Sequence, residues 1–334
     1  MKIKSPNLLA YSTLSLSIIA LCSLSLTSVN ASAASVFVSA GQTELSADVG
    51  EKVVNFKPRG SSLSMSFEPS ENWSLNVYLS QYSDDADLTL DNSLPTQADY
   101  NEDSYGLSTT YFNEQWSYQL GYSVYQDDLI LSNRKHEPFK EDTRAPSYFG
   151  SVGYSWIGED SNSSPFGDTT LQSSTYHSIS AGLQYSDWEQ HQVRFAPPQH
   201  PPRLMPPQSF DNKGNNLYVD LSYDFSLYNP LSSDAGIVWG AALSWHYLIS
   251  GESNLIAING RSINQIVSRL PKNSRTTNFI NSTRASSSGS SYGVVASYIS
   301  FELNKNWTVE FEVSSSIAGD NDTQAGSISV GYTF

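Results

Sequence analysis

Along QWSYQLGYSVYQ, residues 115–126, Trp116, Tyr118, Leu120, Tyr122 and Val124 take every second position, with Ser117, Gln119, Gly121 and Ser123 between them. Successive side chains of an extended chain point to opposite faces, so this stretch predicts a strand with one apolar and one polar face. The pattern recurs at Leu63, Met65 and Phe67; at Trp73, Leu75, Val77 and Leu79; and at Val152, Tyr154 and Trp156. It returns at Ile179, Ala181 and Leu183, at Leu217, Val219 and Leu221, and at Trp239, Ala241 and Leu243. Period two is the rule of the chain. It predicts strands near 35–46, 60–68, 73–83, 104–112, 116–127, 147–157, 174–195, 216–226, 236–249, 291–303, 307–317 and 325–334.

Short connectors such as EPSEN, NEQ and NKN mostly alternate with long polar ones at about 84–103, 128–146, 196–215 and 250–290. Three short connectors run directly into a tryptophan: Trp73, Trp116 and Trp307. Short turns at one end, long loops at the other and aromatic girdles at both interfaces define a transmembrane antiparallel up-and-down β-barrel. On this reading Trp73, Trp116 and Trp307 form the periplasmic girdle. With both termini at the periplasmic end the strand number is even, and the count is about 12, with 10 and 14 as alternatives. Strand seven, 174–195, has a rival reading as a hairpin turning at SDWEQ, and IGEDSNSSPFGDTTLQSS is long for a periplasmic turn. Residues 291–303 change phase between Tyr292, Val294 and Ala296 and the set Ile299, Phe301 and Leu303, so a β-bulge is expected there. A secreted β-sandwich would also alternate. It gives no reason for the alternating connectors or the tryptophans at equivalent strand starts.

The N-terminus has a basic start (MKIK), an apolar middle and the small-residue end Ala31-Ser32-Ala33, which reads as a cleaved signal peptide over 1–33. The barrel domain then occupies 34–334. A lipid-anchored start at Cys22 is disfavoured by Leu21 before it. Cys22 is the only cysteine, so the mature chain has no disulfide to staple it. Losing Lys2 and Lys4 with the leader leaves 16 Lys+Arg against 33 Asp+Glu, a formal charge of −17, which argues against a nucleic-acid partner. No mature segment reaches 18 consecutive apolar residues, which excludes a spanning helix but not spanning strands. Such strands show half their residues to lipid, in keeping with a mean hydropathy of −0.35.

The chain closes on SISVGYTF, with Tyr332 two residues before the terminal Phe334. In this it resembles the Gram-negative outer-membrane β-barrel proteins, whose last strand ends in phenylalanine. The resemblance is architectural, spans the mature chain and points to no subfamily. It implies that Tyr332 and Phe334 carry a signal read by the barrel assembly machinery. It also implies a place in the outer membrane, with lipid and lipopolysaccharide as partners. Gly331 stands away from the position at which the class usually carries its glycine. The oligomeric state is not implied.

The polar parity carries Asp220, Asp224, Glu310 and Glu312, with His246 near the outer rim, so the lumen is expected to be polar and mildly acidic. These carboxylates are either solvated lining or a bias of a narrow water path toward cations. In the loop 251–289, Ser262 and Gln265 fit a capping box, and Ile263, Ile266, Val267 and Leu270 share one helical face before Pro271. A short amphipathic helix is expected, packed on the barrel mouth or serving as a plug. Arg261, Arg269, Arg275 and Arg284 nearby are candidates for lipopolysaccharide phosphates, and APPQHPPRLMPPQ reads as a stiff polyproline spacer.

An omptin-like rim protease would use paired aspartates opposite an Asp-His pair. Asp84-Asp85 and Asp127-Asp128 offer the doublets and His246 the histidine, but Ser244 stands where the aspartate is needed. A barrel phospholipase reading fails at His177-Ser178, whose side chains face opposite ways. No metal-ligand or phosphate-loop spacing occurs, so neither a metal nor a cofactor is expected. The expected function is therefore non-enzymatic: a narrow or plugged channel, with a surface-exposed structural or adhesive role and a passenger-less autotransporter-like barrel as alternatives.

Overall fold

The computed structural model describes residues 33–49, 52–89, 95–133, 139–158, 173–194, 208–251, 265–268, 283–286, 291–318 and 323–334. Residues 1–32, which hold all but the last residue of the expected signal peptide, the proline-rich stretch 196–207 and the long connector 159–172 lie outside them. The strands are β1 (Ala33–Val49), β2 (Lys52–Phe56), β3 (Arg59–Ser70), β4 (Trp73–Thr89), β5 (Pro95–Asn113), β6 (Trp116–Asn133), β7 (Phe139–Gly158) and β8 (Ser174–Arg194). There follow β9 (Gln208–Pro230), β10 (Gly236–Gly251), β11 (Gln265–Ser268), β12 (Thr283–Ser286), β13 (Tyr292–Glu302), β14 (Trp307–Ala318) and β15 (Thr323–Thr333).

Twelve of these, β1, β3–β10 and β13–β15, form one antiparallel cylinder. It closes where β15 pairs with β1 from Ser35↔Thr333 to Leu45↔Thr323, and the Phe334 N–H donates to the Ala34 carbonyl at 2.8 Å. β2 is a short addition beside the loop end of β1. Closure leaves no edge, the condition for a sheet surrounded by hydrocarbon, where an unpaired backbone group costs several kcal/mol. The outward parity is apolar and exposed all round the cylinder, at Val38, Leu107, Leu120, Leu183, Leu221 and Val313 among others. A soluble monomer does not present such a continuous apolar belt.

Two expectations need correction, and one alternative falls away. The long loops at 84–103 and 128–146 are largely strand, and so are the described residues 208–215 of the third: β4 and β5 stay paired to Thr89↔Pro95, β6 and β7 to Leu131↔Phe139, and β8 and β9 to Arg194↔Gln208. Beyond the apolar belt the outward face turns polar, as at Asp85, Asp99, Asp128 and Asp142, while the inward face mixes Ala98, Tyr100 and Leu129 with acids, so the alternation fades though the hydrogen-bond ladder continues. β8 is one strand of 21 residues, with no hairpin at SDWEQ. β13 carries no phase change either, keeping one register with β10 from Gly236↔Glu302 to His246↔Tyr292. Its apolar residues Val294, Ala296 and Tyr298 face inward and pack with Tyr218, Val238 and Ala242 on β9 and β10. The only irregularity in its pairing with β14 lies at the loop end, between Gly293 and Val294.

Inside the cylinder, bulky rings sit over glycines of the neighbouring strand. Tyr78 faces Gly106, Phe149 faces Gly121, Tyr298 faces Gly240, Phe37 faces Gly331 and Trp188 faces Gly214. A Cβ on Gly121 would stand 2.1 Å from Phe149 Cζ, and one on Gly240 would stand 2.3 Å from Tyr298 Cζ. The glycines let a large ring lie flat along a small bore.

Gly121→Ala is therefore expected to lower stability by about 1–3 kcal/mol. Chemical unfolding of the refolded barrel in detergent would read this, and Phe149→Leu in the same chain should restore most of the loss. In the turn between β5 and β6, Glu114 has φ 55°, in the left-handed region. Glu114→Gly should raise the unfolding midpoint, since an L side chain there costs roughly 1 kcal/mol.

Candidate functional site

The inward face of β9, β10, β13 and β14 is the candidate site. Asp220 and Asp224 lie two inward steps apart on β9, and Glu310 and Glu312 are successive inward residues of β14. Register places Asp220 opposite His246 on β10 and His246 opposite Tyr292 on β13. The His246 Nδ1 lies 2.6 Å from Asp220 Oδ1, and the imidazole stacks on Tyr292 with ring centres 4.3 Å apart. Tyr292 in turn meets Tyr218 edge to face at 6.1 Å. His246 is 2% exposed, so its imidazole is held by a carboxylate and an aromatic face rather than by solvent.

Two of the other three carboxylates, Asp224 and Glu310, are brought together by one phenol. Tyr298 reaches in from β13, hydrogen-bonded to Ser226 and in the field of both Asp224 and Glu310. Asp224 and Glu310 are both buried. The four predicted carboxylates thus form no single cluster: Asp220 belongs to the His246 pair and Asp224 and Glu310 flank Tyr298. Between these groups β10 and β13 present Val238, Ala242 and Ala296, so the lumen wall is apolar there rather than polar throughout.

Three buried inward acids were missed: Glu102, Asp127 and Glu141, on β5–β7. The Tyr125 hydroxyl donates to Asp127 Oδ2 at 2.9 Å and lies 3.1 Å from the Tyr100 hydroxyl, while Gln192 Nε2 donates to Glu141 Oε2 at 3.3 Å. They fall at or within stretches read as loop. Continuing the parity of Gly121 and Ser123 through Tyr125 to Asp127 would have found at least one of them.

The protease constellation does not assemble. Asp127 faces inward and is buried, whereas Asp128 has the opposite parity and pairs across the outer face with Asp142. His246 does have an aspartate, but it is Asp220 on the next strand rather than residue 244. Among the described residues no group of three His, Cys, Asp or Glu could hold a metal ion.

At the turn end Trp73, Trp116 and Trp307 each open a strand, each 46% exposed and pointing outward. Each meets the tyrosine opposite it on a neighbouring strand, at 5.0 Å from Tyr111, 5.0 Å from Tyr154 and 4.9 Å from Tyr332. Phe334 meets Tyr332 edge to face at 4.8 Å, extending this ring to the chain end. At the other end, Ile266 and Val267 lie in the strand β11 rather than in the expected helix, paired with Ala285 and Arg284 of β12. Cross-strand pairing suits two β-branched residues. Ile263 and Leu270 lie outside the described residues. The β11 backbone runs against β6 and β7 and that of β12 against β14 and β15, which occupy opposite sides of the cylinder. The hairpin thus crosses the bore.

No family model matches the sequence, and no curated relative matches it. Solved structures do. The translocator domain of the autotransporter NalP from Neisseria meningitidis superimposes with a TM-score of 0.54 at 13% identity, covering 97% of each chain. The transport unit of the autotransporter AIDA-I from Escherichia coli gives 0.56 at 11% identity, covering 91% of each chain. This chain has the outer-membrane β-barrel fold.

Within the barrel the Asp220–His246 pair is open to direct test. Asp220→Ala leaves a buried imidazole without its acceptor and should destabilise by about 1–3 kcal/mol. His246→Phe keeps the ring on Tyr292 and strands only a carboxylate that retains some solvent access. A double-substitution cycle read by unfolding in detergent should give a coupling of about 1 kcal/mol.

Proposed function

We propose that the protein is a narrow outer-membrane channel whose bore favours cations. The reading rests on a predominantly acidic lumen. Asp220, Asp224, Glu310, Glu312, Glu102, Asp127 and Glu141 take the inward parity, and among the described residues of the barrel strands the one Lys or Arg on that parity is Arg194, at the loop end of β8. Carboxylates on the wall of a low-dielectric tube raise the local cation concentration and oppose anion entry. The β11–β12 hairpin narrows the path. In this reading the turn end with its tryptophans faces the periplasm and Tyr332 and Phe334 are read by the assembly machinery. The strand extensions stand outside the cell, and Asp220 and His246 have a structural role.

A second reading, a translocator-like barrel, is supported by the fold shared with the NalP and AIDA-I units. It assigns the bore to an extended polypeptide rather than to small ions.

Conductance in planar bilayers separates the two. The refolded barrel is expected to give small discrete steps with a reversal potential favouring cations. Deleting 251–289 should enlarge the steps, and Glu310→Gln with Glu312→Gln should lower the cation preference by roughly half. Silence even after the deletion would reject the channel. Unchanged selectivity in the double variant would reject the lining argument.

A further inference from the structure

Where β7, β8, β9 and β10 leave the apolar belt, their loop ends surround a cavity of about 860 Å³ whose lining includes Arg144, Pro146, Asp187, Trp188, Glu189 and Lys213. The wall is locally open because Pro146 has no N–H to donate, and the β7–β8 ladder is interrupted between Arg144↔Glu189 and Ser147↔Ser186. Register sets Arg144 opposite Glu189 and Glu189 opposite Lys213, a row of alternating charge across three strands. Among the described residues none of these three forms an ion pair. Asp187, by contrast, accepts from the Tyr185 hydroxyl at 2.7 Å.

The cavity lies at a boundary. Toward the turn end the outward residues are exposed and apolar or aromatic: Tyr148, Leu183, Tyr185 and Leu221. Toward the loop end they become Asp142, His191 and Asp211. An occupant at this level has its polar head among charges and its tail along hydrocarbon. Neighbouring strands are about 4.8 Å apart, so Arg144 and Lys213 flank the Glu189 strand with roughly 10 Å between their backbones, a span two long side chains can close onto one anion. A simple anion would also meet Glu189, and a simple cation would meet both bases. A zwitterion answers all three charges.

We propose that this cavity binds a lipid headgroup of the phosphoethanolamine type. Its phosphate sits between Arg144 and Lys213, its primary ammonium donates to Glu189, and its acyl chains descend over Tyr148, Leu183 and Leu221. The proposal is independent of whether the bore conducts.

The test is native mass spectrometry of the folded barrel titrated with dihexanoyl lipids that share acyl chains and differ in headgroup. Phosphatidylethanolamine should bind about tenfold tighter than phosphatidylcholine, whose quaternary amine cannot donate to Glu189. Arg144→Gln with Lys213→Gln should weaken phosphatidylethanolamine and phosphatidic acid alike by about tenfold. Glu189→Gln should weaken phosphatidylethanolamine while leaving phosphatidic acid equal or tighter. All three residues are exposed, so the variants are expected to fold, and an unchanged unfolding midpoint verifies it. Equal affinity for all headgroups, or no loss in the double variant, would overturn the site. Free phosphoethanolamine binding as tightly as the diacyl lipid would overturn the lipid as occupant.

Discussion

Hydrocarbon offers no partner to a peptide group, so every N–H and C=O within it must be answered by the chain itself. The closure of β15 on β1 satisfies this for the whole sheet in one step, and most other features follow from it. With the ladder closed, the apolar parity has to face outward, because lipid now lies there. The polar parity is left to line the bore, and it does so with serines, glycines under rings, and carboxylates tied to hydroxyls, amides or an imidazole.

The bore is not one environment. Near β9, β10 and β13 an apolar wall separates the Asp220–His246–Tyr292 stack from the Asp224–Tyr298–Glu310 group. Near β5–β7 the acids sit in a tyrosine and glutamine network instead. A permeant cation would therefore meet separate charged stations, with rings between them, rather than a uniform acidic sleeve.

The membrane-embedded part was legible because lipid on one face and water or polar packing on the other imposes period two. Trp116, Tyr118 and Leu120 show their direction in the bare sequence, and the short turns before Trp73, Trp116 and Trp307 show where strands begin. Legibility ended where that contrast ended. Asp99, Asp128 and Asp142 stand on strand extensions whose outward face is polar and whose inward face mixes acids with Ala98, Tyr100 and Leu129, so no clean alternation distinguishes them from loop residues. Tyr292, Val294 and Ala296 misled for the opposite reason: they are apolar and inward, packed on Val238 and Tyr218, a tertiary contact that alternation cannot register. Asp220 meeting His246 depends on interstrand register, which one strand's pattern does not contain. The same holds for the row Arg144, Glu189 and Lys213, assembled from three strands.

The hairpin β11–β12 bears on mechanics as well as on passage. A thin-walled tube flattens easily into an ellipse under lateral pressure. A member spanning from the β6–β7 side to the β14–β15 side opposes that deformation along one diameter. Such a strut would keep the cross-section round while leaving the perpendicular diameter compliant, so squeezing by the surrounding bilayer would shape the tube along one axis only.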